Sequence, residues 1–206
     1  MKSLKQHIQE SFKIGKNKMV HYNYFPETKE ELKDILRERL AKDKDADLND
    51  IDVSNIEDMS YLFYKLDPHN IDISLWDVSN VENMKGMFEG CDKFNVNLSN
   101  WDVSNVKNMS GMFLNCDKLN CKGLENWDVS NVRDMCYMFF NCKEFEGKGL
   151  ENWDVSNVRF MDKMFYGCGN YKGKGLENWD VSNVKNMSYM FKNCKSLKNK
   201  PSWYKE

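Results

Sequence analysis

The string W-D-V-S-N-V-K-N-M-S-G-M-F-L-N-C at residues 101–116 decides the fold, because the chain repeats it. Its D-V-S-N segment begins at Asp52, Asp77, Asp102, Asp128, Asp154 and Asp180, at intervals of 25, 25, 26, 26 and 26 residues. Trp76, Trp101, Trp127, Trp153 and Trp179 precede the last five copies, and Ile51 takes that place in the first. At fixed distances downstream each copy returns Val or Ile, then Met, then Met or Leu, then Phe. The unit closes on Cys91, Cys116, Cys142, Cys168 or Cys194, with Leu66 in the first copy. Self-similarity at this period is the signature of a repeat architecture, in which each unit buries its apolar side chains only against its neighbours.

Within one unit, Val106, Met109, Met112, Phe113 and Cys116 recur at three- and four-residue intervals, which predicts one face of a short helix. Upstream, Leu98, Trp101 and Val103 follow the L-x-x-L-x-L spacing of a leucine-rich-repeat strand. Ser104 and Asn105 lie between the two, where a side-chain oxygen can cap the helix that follows. The expected fold is therefore an α/β repeat solenoid, leucine-rich-repeat-like. Its six stacked strand-helix repeats occupy residues 47–206, starting near 51, 76, 101, 127, 153 and 179. Three units carry the string K-G-L-E-N-W from Lys122, Lys148 and Lys174, with Gly123, Gly149 and Gly175 turning the chain into the strand. Trp203 reads as a fragment of a seventh strand at the C-terminal edge.

Residues 1–46 do not repeat and read as a mainly helical cap. Leu4, Ile8 and Phe12 make a stripe on a first helix, and the stretch 18–25 reads as a β-segment ended by Pro26. Thr28 followed by Glu31 is a capping box that opens a second helix running to about Lys42. A terminal repeat needs such a cover, because its apolar end is otherwise exposed.

The unit W-D-V-S-N-V-x-x-M-x-x-M-F-x-x-C resembles the repeats of the BspA-like leucine-rich-repeat surface proteins of bacteria, which are also widespread in mycoplasmas. The resemblance spans about residues 47–197, and the segments 26–33 and 47–54 resemble the stretch that leads into such repeats. It implies adhesion or protein binding, often at a cell surface. The first ten residues, M-K-S-L-K-Q-H-I-Q-E, are also similar to capsid-targeting peptides of large tailed phages, in which cleavage would follow Glu10. That similarity implies the alternative of a structural or packaged component of a phage particle with a removable N-terminal peptide.

The chain has 206 residues, 41% of them hydrophobic, with 30 basic and 32 acidic side chains and a formal net charge of -2. Such a balance supplies no overall field for nucleic acid or an anionic membrane. No apolar run is long enough for a signal h-region or a spanning helix, so a soluble chain without membrane insertion is expected. Five of the seven cysteines follow the repeat, which reads as buried thiols rather than a disulfide framework.

The aspartates Asp52, Asp77, Asp102, Asp128, Asp154 and Asp180 should form a ladder. Neighbouring carboxylates about 5 Å apart repel by about 3 kcal/mol at an effective dielectric near 20 and by less than about 1 kcal/mol in water. Each must be solvated, hydrogen-bonded or bound to a cation. An Asx turn onto the N–H two residues on is favoured over a Ca²⁺-binding stripe, since no loop of spaced oxygen ligands accompanies the aspartates. With Lys122, Lys148 and Lys174 these aspartates make the candidate binding face, on the concave strand surface or the K-G-L-E-N edge. The Met and Cys columns, with Met109, Phe113 and Cys116 as examples, read as repeat core together with the Trp positions, and not as a soft-metal site. Cys121 and Cys136 lie off the column and are the candidate accessible thiols. His7, His21 and His69 have no partner motif, and neither a phosphate loop nor a nucleophile elbow is present. The expectation is a non-enzymatic module without cofactor that binds a protein or a glycan.

Overall fold

The computed structural model describes residues 12–15, 18–120 and 122–205. Two short antiparallel strands come first, β1 (Phe12–Gly15) and β2 (Lys18–His21), with Phe12 opposite His21. Phe12 therefore belongs to a strand and not to the expected first helix, while Leu4 and Ile8 lie outside the described residues. The chain then adds Tyr24 in parallel to Ile51 of the first repeat.

Helix α1 (Lys29–Lys42) forms where the capping box places it. Thr28 Oγ1 accepts the Glu31 N–H at 3.2 Å, and Glu31 Oε2 reaches back to the Glu27 N–H at 2.8 Å. Glu30 and Glu31 in the first turn and Arg39 and Lys42 in the last complement the helix dipole. Leu32, Leu36 and Leu40, four residues apart, are buried in the same apolar core as the repeats. On the flanks Lys29 bonds Asp58 and Ser60, Lys33 donates to the Tyr61 carbonyl, and Arg39 pairs with Asp50 at 2.9 Å.

The repeats correct the expected fold class. Among the described residues, none contains an α-helix or a strand longer than one bridging residue, so stacked strand-helix repeats do not form. Leu98, Trp101 and Val103 are end residues of turns, and the only helical stretch among the described residues of the repeats is a 3₁₀ turn, Leu124–Asn126. The three-residue spacing that imitates a helix has another cause. Successive β-turns close three residues apart: Val106 N–H to Val103 O at 2.9 Å, Met112 to Met109 at 3.2 Å, Cys116 to Phe113 at 3.0 Å and Leu119 to Cys116 at 3.1 Å. Each turn returns an apolar residue to the interior. Between them the backbone enters the left-handed region, at Gly111 and Asn115 in this repeat and at Tyr137 and Asn141 in the next, which no α-helix permits.

That alternation sends the remaining N–H groups sideways instead of along a helix axis. Met109, Gly111, Phe113 and Asn115 donate to the carbonyls of Asp134, Cys136, Met138 and Phe140 in the following repeat, at 2.8 to 3.0 Å. The same register joins Asp58, Asn83, Asn108, Asp134, Phe160 and Asn186 in one run of parallel bridges.

Side chains extend the register into ladders. Phe63, Phe88, Phe113, Phe139, Phe165 and Phe191 stack with centroids 5.1 to 5.7 Å apart. The indole N–H of each Trp donates to a carbonyl of the preceding repeat, from Trp76 to Leu48 at 2.9 Å through Trp179 to Leu150 at 3.0 Å. Trp203 continues this ladder onto Leu176 at 2.7 Å, without forming a strand. The five Cys thiols do likewise, Cys116 to the Phe88 carbonyl at 3.0 Å for example. Gly123 is needed where the K-G-L-E-N insertion crosses the preceding repeat, since its φ is 102° and a Cβ there would sit 2.2 Å from the Ser99 nitrogen.

Candidate functional site

The D-V-S-N turn builds two rows on the surface. In every repeat the Asp carboxylate accepts the Ser N–H two residues on, from Asp52–Ser54 at 3.1 Å to Asp180–Ser182 at 3.0 Å. The Asn that follows donates its amide to the Ser carbonyl of the repeat before: Asn131 to Ser104 at 2.7 Å, Asn157 to Ser130 at 2.8 Å and Asn183 to Ser156 at 2.7 Å. Ser104 and Asn105 thus serve an Asx turn and an inter-repeat bond, not a helix cap.

Hydrogen bonds from the serine hydroxyl, then from its N–H, hold Asp154 and Asp180 below the usual carboxylate range. Among the described residues no group of three or more His, Cys, Asp or Glu side chains is placed to hold a metal ion. Asp77, Asp102, Asp128, Asp154 and Asp180 are exposed and Asp52 is buried. Lys122, Lys148 and Lys174 are exposed as well, and Lys148 pairs with Glu146 at 2.9 Å. The concave strand surface, one of the two places expected for these residues, does not form, because the described residues of the repeats contain no strand.

The Trp, Met, Phe and Cys positions lie inside. Trp76, Trp101, Trp127, Trp153 and Trp179 are 3 to 5% exposed, and Met109, Phe113 and Cys116 are fully buried. Cys136 is half-buried, and its thiol donates to Asp162 Oδ1 at 2.7 Å. Burial and then the flanking Asp162 and Asp134 push that thiol well above the ordinary range, so it stays protonated and is a poor nucleophile. Cys121 lies outside the described residues.

One surface feature went unread in the sequence. Six residues after the Trp position the repeats carry Glu57, Glu82, Lys107, Arg133, Arg159 and Lys185, acidic at one end of the row and basic at the other. Lys107 is neutralised by Glu82 at 2.6 Å, but Arg133, Arg159 and Lys185 form no ion pair among the described residues. Their backbones are locked in register, Arg133 N–H to Lys107 O at 2.9 Å, Arg159 to Arg133 at 2.9 Å and Lys185 to Arg159 at 2.8 Å. With Asn131, Asn157 and Asn183 they line an open polar groove of about 590 Å³. The signal was present as a sign change at one fixed offset, visible only when the repeats are written in register and that column is read alone.

The repeats account for a similarity to a known family. The family described as "Mycoplasma protein of unknown function, DUF285" matches residues 31–122 and again residues 112–205. The chain belongs to this family. The first match starts inside α1, so the DUF285 pattern takes in the helix that closes the stack as well as the repeats. No curated protein matches the chain, and no solved structure does.

Proposed function

We propose that this DUF285 protein is a non-catalytic binding module, and that its ligand lies along the groove lined by Asn131, Arg133, Asn157, Arg159, Asn183 and Lys185. The observation that carries the reading is the register of that groove: the same amide and the same positive charge return in three successive repeats, on a backbone held by inter-repeat hydrogen bonds. A periodic surface of this kind suits a ligand that is itself extended and periodic. The groove has no histidine, carboxylate or thiol in its lining that could serve as acid, base or nucleophile, which favours binding over catalysis. The resemblance to BspA-like repeats supports the same choice, a protein or glycan ligand in an adhesion role. The experiment is a glycan and protein array probed with the wild-type chain and with Asn157→Ala. A ligand retained by wild type and lost by the variant is expected; ligands that bind both equally would move the site elsewhere, and no ligand at all would count against a binding module.

A further inference from the structure

Given that the groove is the binding site, the geometry points to its ligand class: an acidic polysaccharide carrying one carboxylate per sugar, a polyuronate. The cations come first. Arg133, Arg159 and Lys185 are exposed, share one row and have no paired carboxylate among the described residues, whereas Lys107 at the next position up the row is already paired with Glu82. Three like charges stacked without a counter-charge ask for an anion from outside.

Spacing then selects among anions. Backbone pairing sets successive repeats about 4.8 Å apart, so the cations recur at that interval. Acidic side chains on one face of an extended peptide recur every second residue, about 6.6 Å apart, and drift out of step with the row. In a two-fold polyuronate ribbon alternate rings turn their carboxylates to one face, so these recur at nearly two inter-repeat distances. Such a chain sets carboxylates at Arg133 and Lys185 and the hydroxyls of the intervening ring at Arg159. Beside each cation stands an asparagine with one Nδ2 hydrogen tied to the preceding serine carbonyl, which leaves its second N–H as donor and its amide oxygen as acceptor. Sugar hydroxyls can donate to that oxygen; phosphates and side-chain carboxylates cannot.

The lining also speaks against other polyanions. It holds no aromatic or aliphatic side chain, so it lacks the apolar anchor on which protein interfaces concentrate their energy and the stacking platform that single-stranded nucleic acid uses.

Calorimetric titration of the full-length chain with an oligogalacturonate tests this, beside a neutral oligosaccharide of the same length, polyglutamate and a single-stranded oligonucleotide. Oligogalacturonate should bind, the neutral sugar should not, and added salt should weaken the complex. Arg159→Glu and Lys185→Glu alter exposed side chains and should melt like wild type, yet each should weaken binding by about tenfold or more through loss of a charge-assisted contact. Lys174→Glu, on the K-G-L-E-N edge, should bind like wild type. Polyglutamate or the oligonucleotide binding as tightly as the uronate would overturn the assignment, as would binding that survives Arg159→Glu or is lost in Lys174→Glu. Failure of every anionic polymer, with a neutral array ligand that depends on Asn157, would remove the ligand class while leaving the binding module intact.

Discussion

At the scale of single residues, the Trp ladder binds packing and hydrogen bonding into one side chain. Trp127 is 4% exposed, stacks on Phe113 and Trp153 with centroids 6.3 Å away, and donates its indole N–H to the Leu98 carbonyl. Trp127→Ala removes the ring and one of the two hydrogen bonds to the Leu98 carbonyl, so it should cost about 3 to 5 kcal/mol, the range for large-to-small changes in a core. Urea denaturation reads this directly, and an unchanged midpoint would mean that the ring is not part of the core. Tyr171 is the converse case. It occupies the place held by Phe94 and Phe145 in other repeats, is fully buried between Phe165 and Phe191, and its hydroxyl has no hydrogen-bond partner among the described residues. Burial drives its ionisation far above the usual tyrosine range. Tyr171→Phe removes only that oxygen, and it should raise stability by about 1 kcal/mol or more, the desolvation cost of an unsatisfied hydroxyl. A lower melting temperature for the variant would show that the hydroxyl is held by something.

Among the elements, α1 was the most legible. Thr28 and Glu31 fix its start by a local mechanism, and the Leu32–Leu36–Leu40 stripe declares the buried face without reference to the rest of the chain. What it covers is the first repeat, through that stripe and the contacts of Lys29, Lys33 and Arg39. The opposite end of the stack contrasts with it. Val181, Val184 and Met187 are only partly buried, whereas their counterparts Val155, Val158 and Met161 have 0 to 1% of their surface exposed. Deleting residues 1–46 should open the first repeat in the same way, lowering the melting temperature and causing concentration-dependent association. Size-exclusion chromatography beside a thermal melt decides it: a truncated chain that stays monomeric and melts at the original temperature would make the segment a detachable piece rather than a cap.

Over the whole molecule, the period of the repeats and the identity of the core were determined by the sequence alone. Burial of Trp, Met, Phe and Cys follows from their recurrence at a fixed offset, since stacked units put equal offsets in contact whatever their backbone does. The Asx turns were equally legible, because Asp and Ser two residues apart make that bond locally. The conformation of each repeat was not. Apolar residues three and four apart fit both an α-helix and a succession of β-turns. The choice rests on where the intervening N–H groups find acceptors. In this protein they find them in the next repeat, with left-handed residues such as Tyr137, Asn141 and Lys163 aiming them there. The basic groove was hidden for a related reason. Arg133, Arg159 and Lys185 are 26 residues apart in the chain, and each alone is an ordinary exposed charge. Only the tertiary structure makes them neighbours, because it is the hydrogen-bonded stacking of whole repeats that converts one sequence offset into one line on the surface.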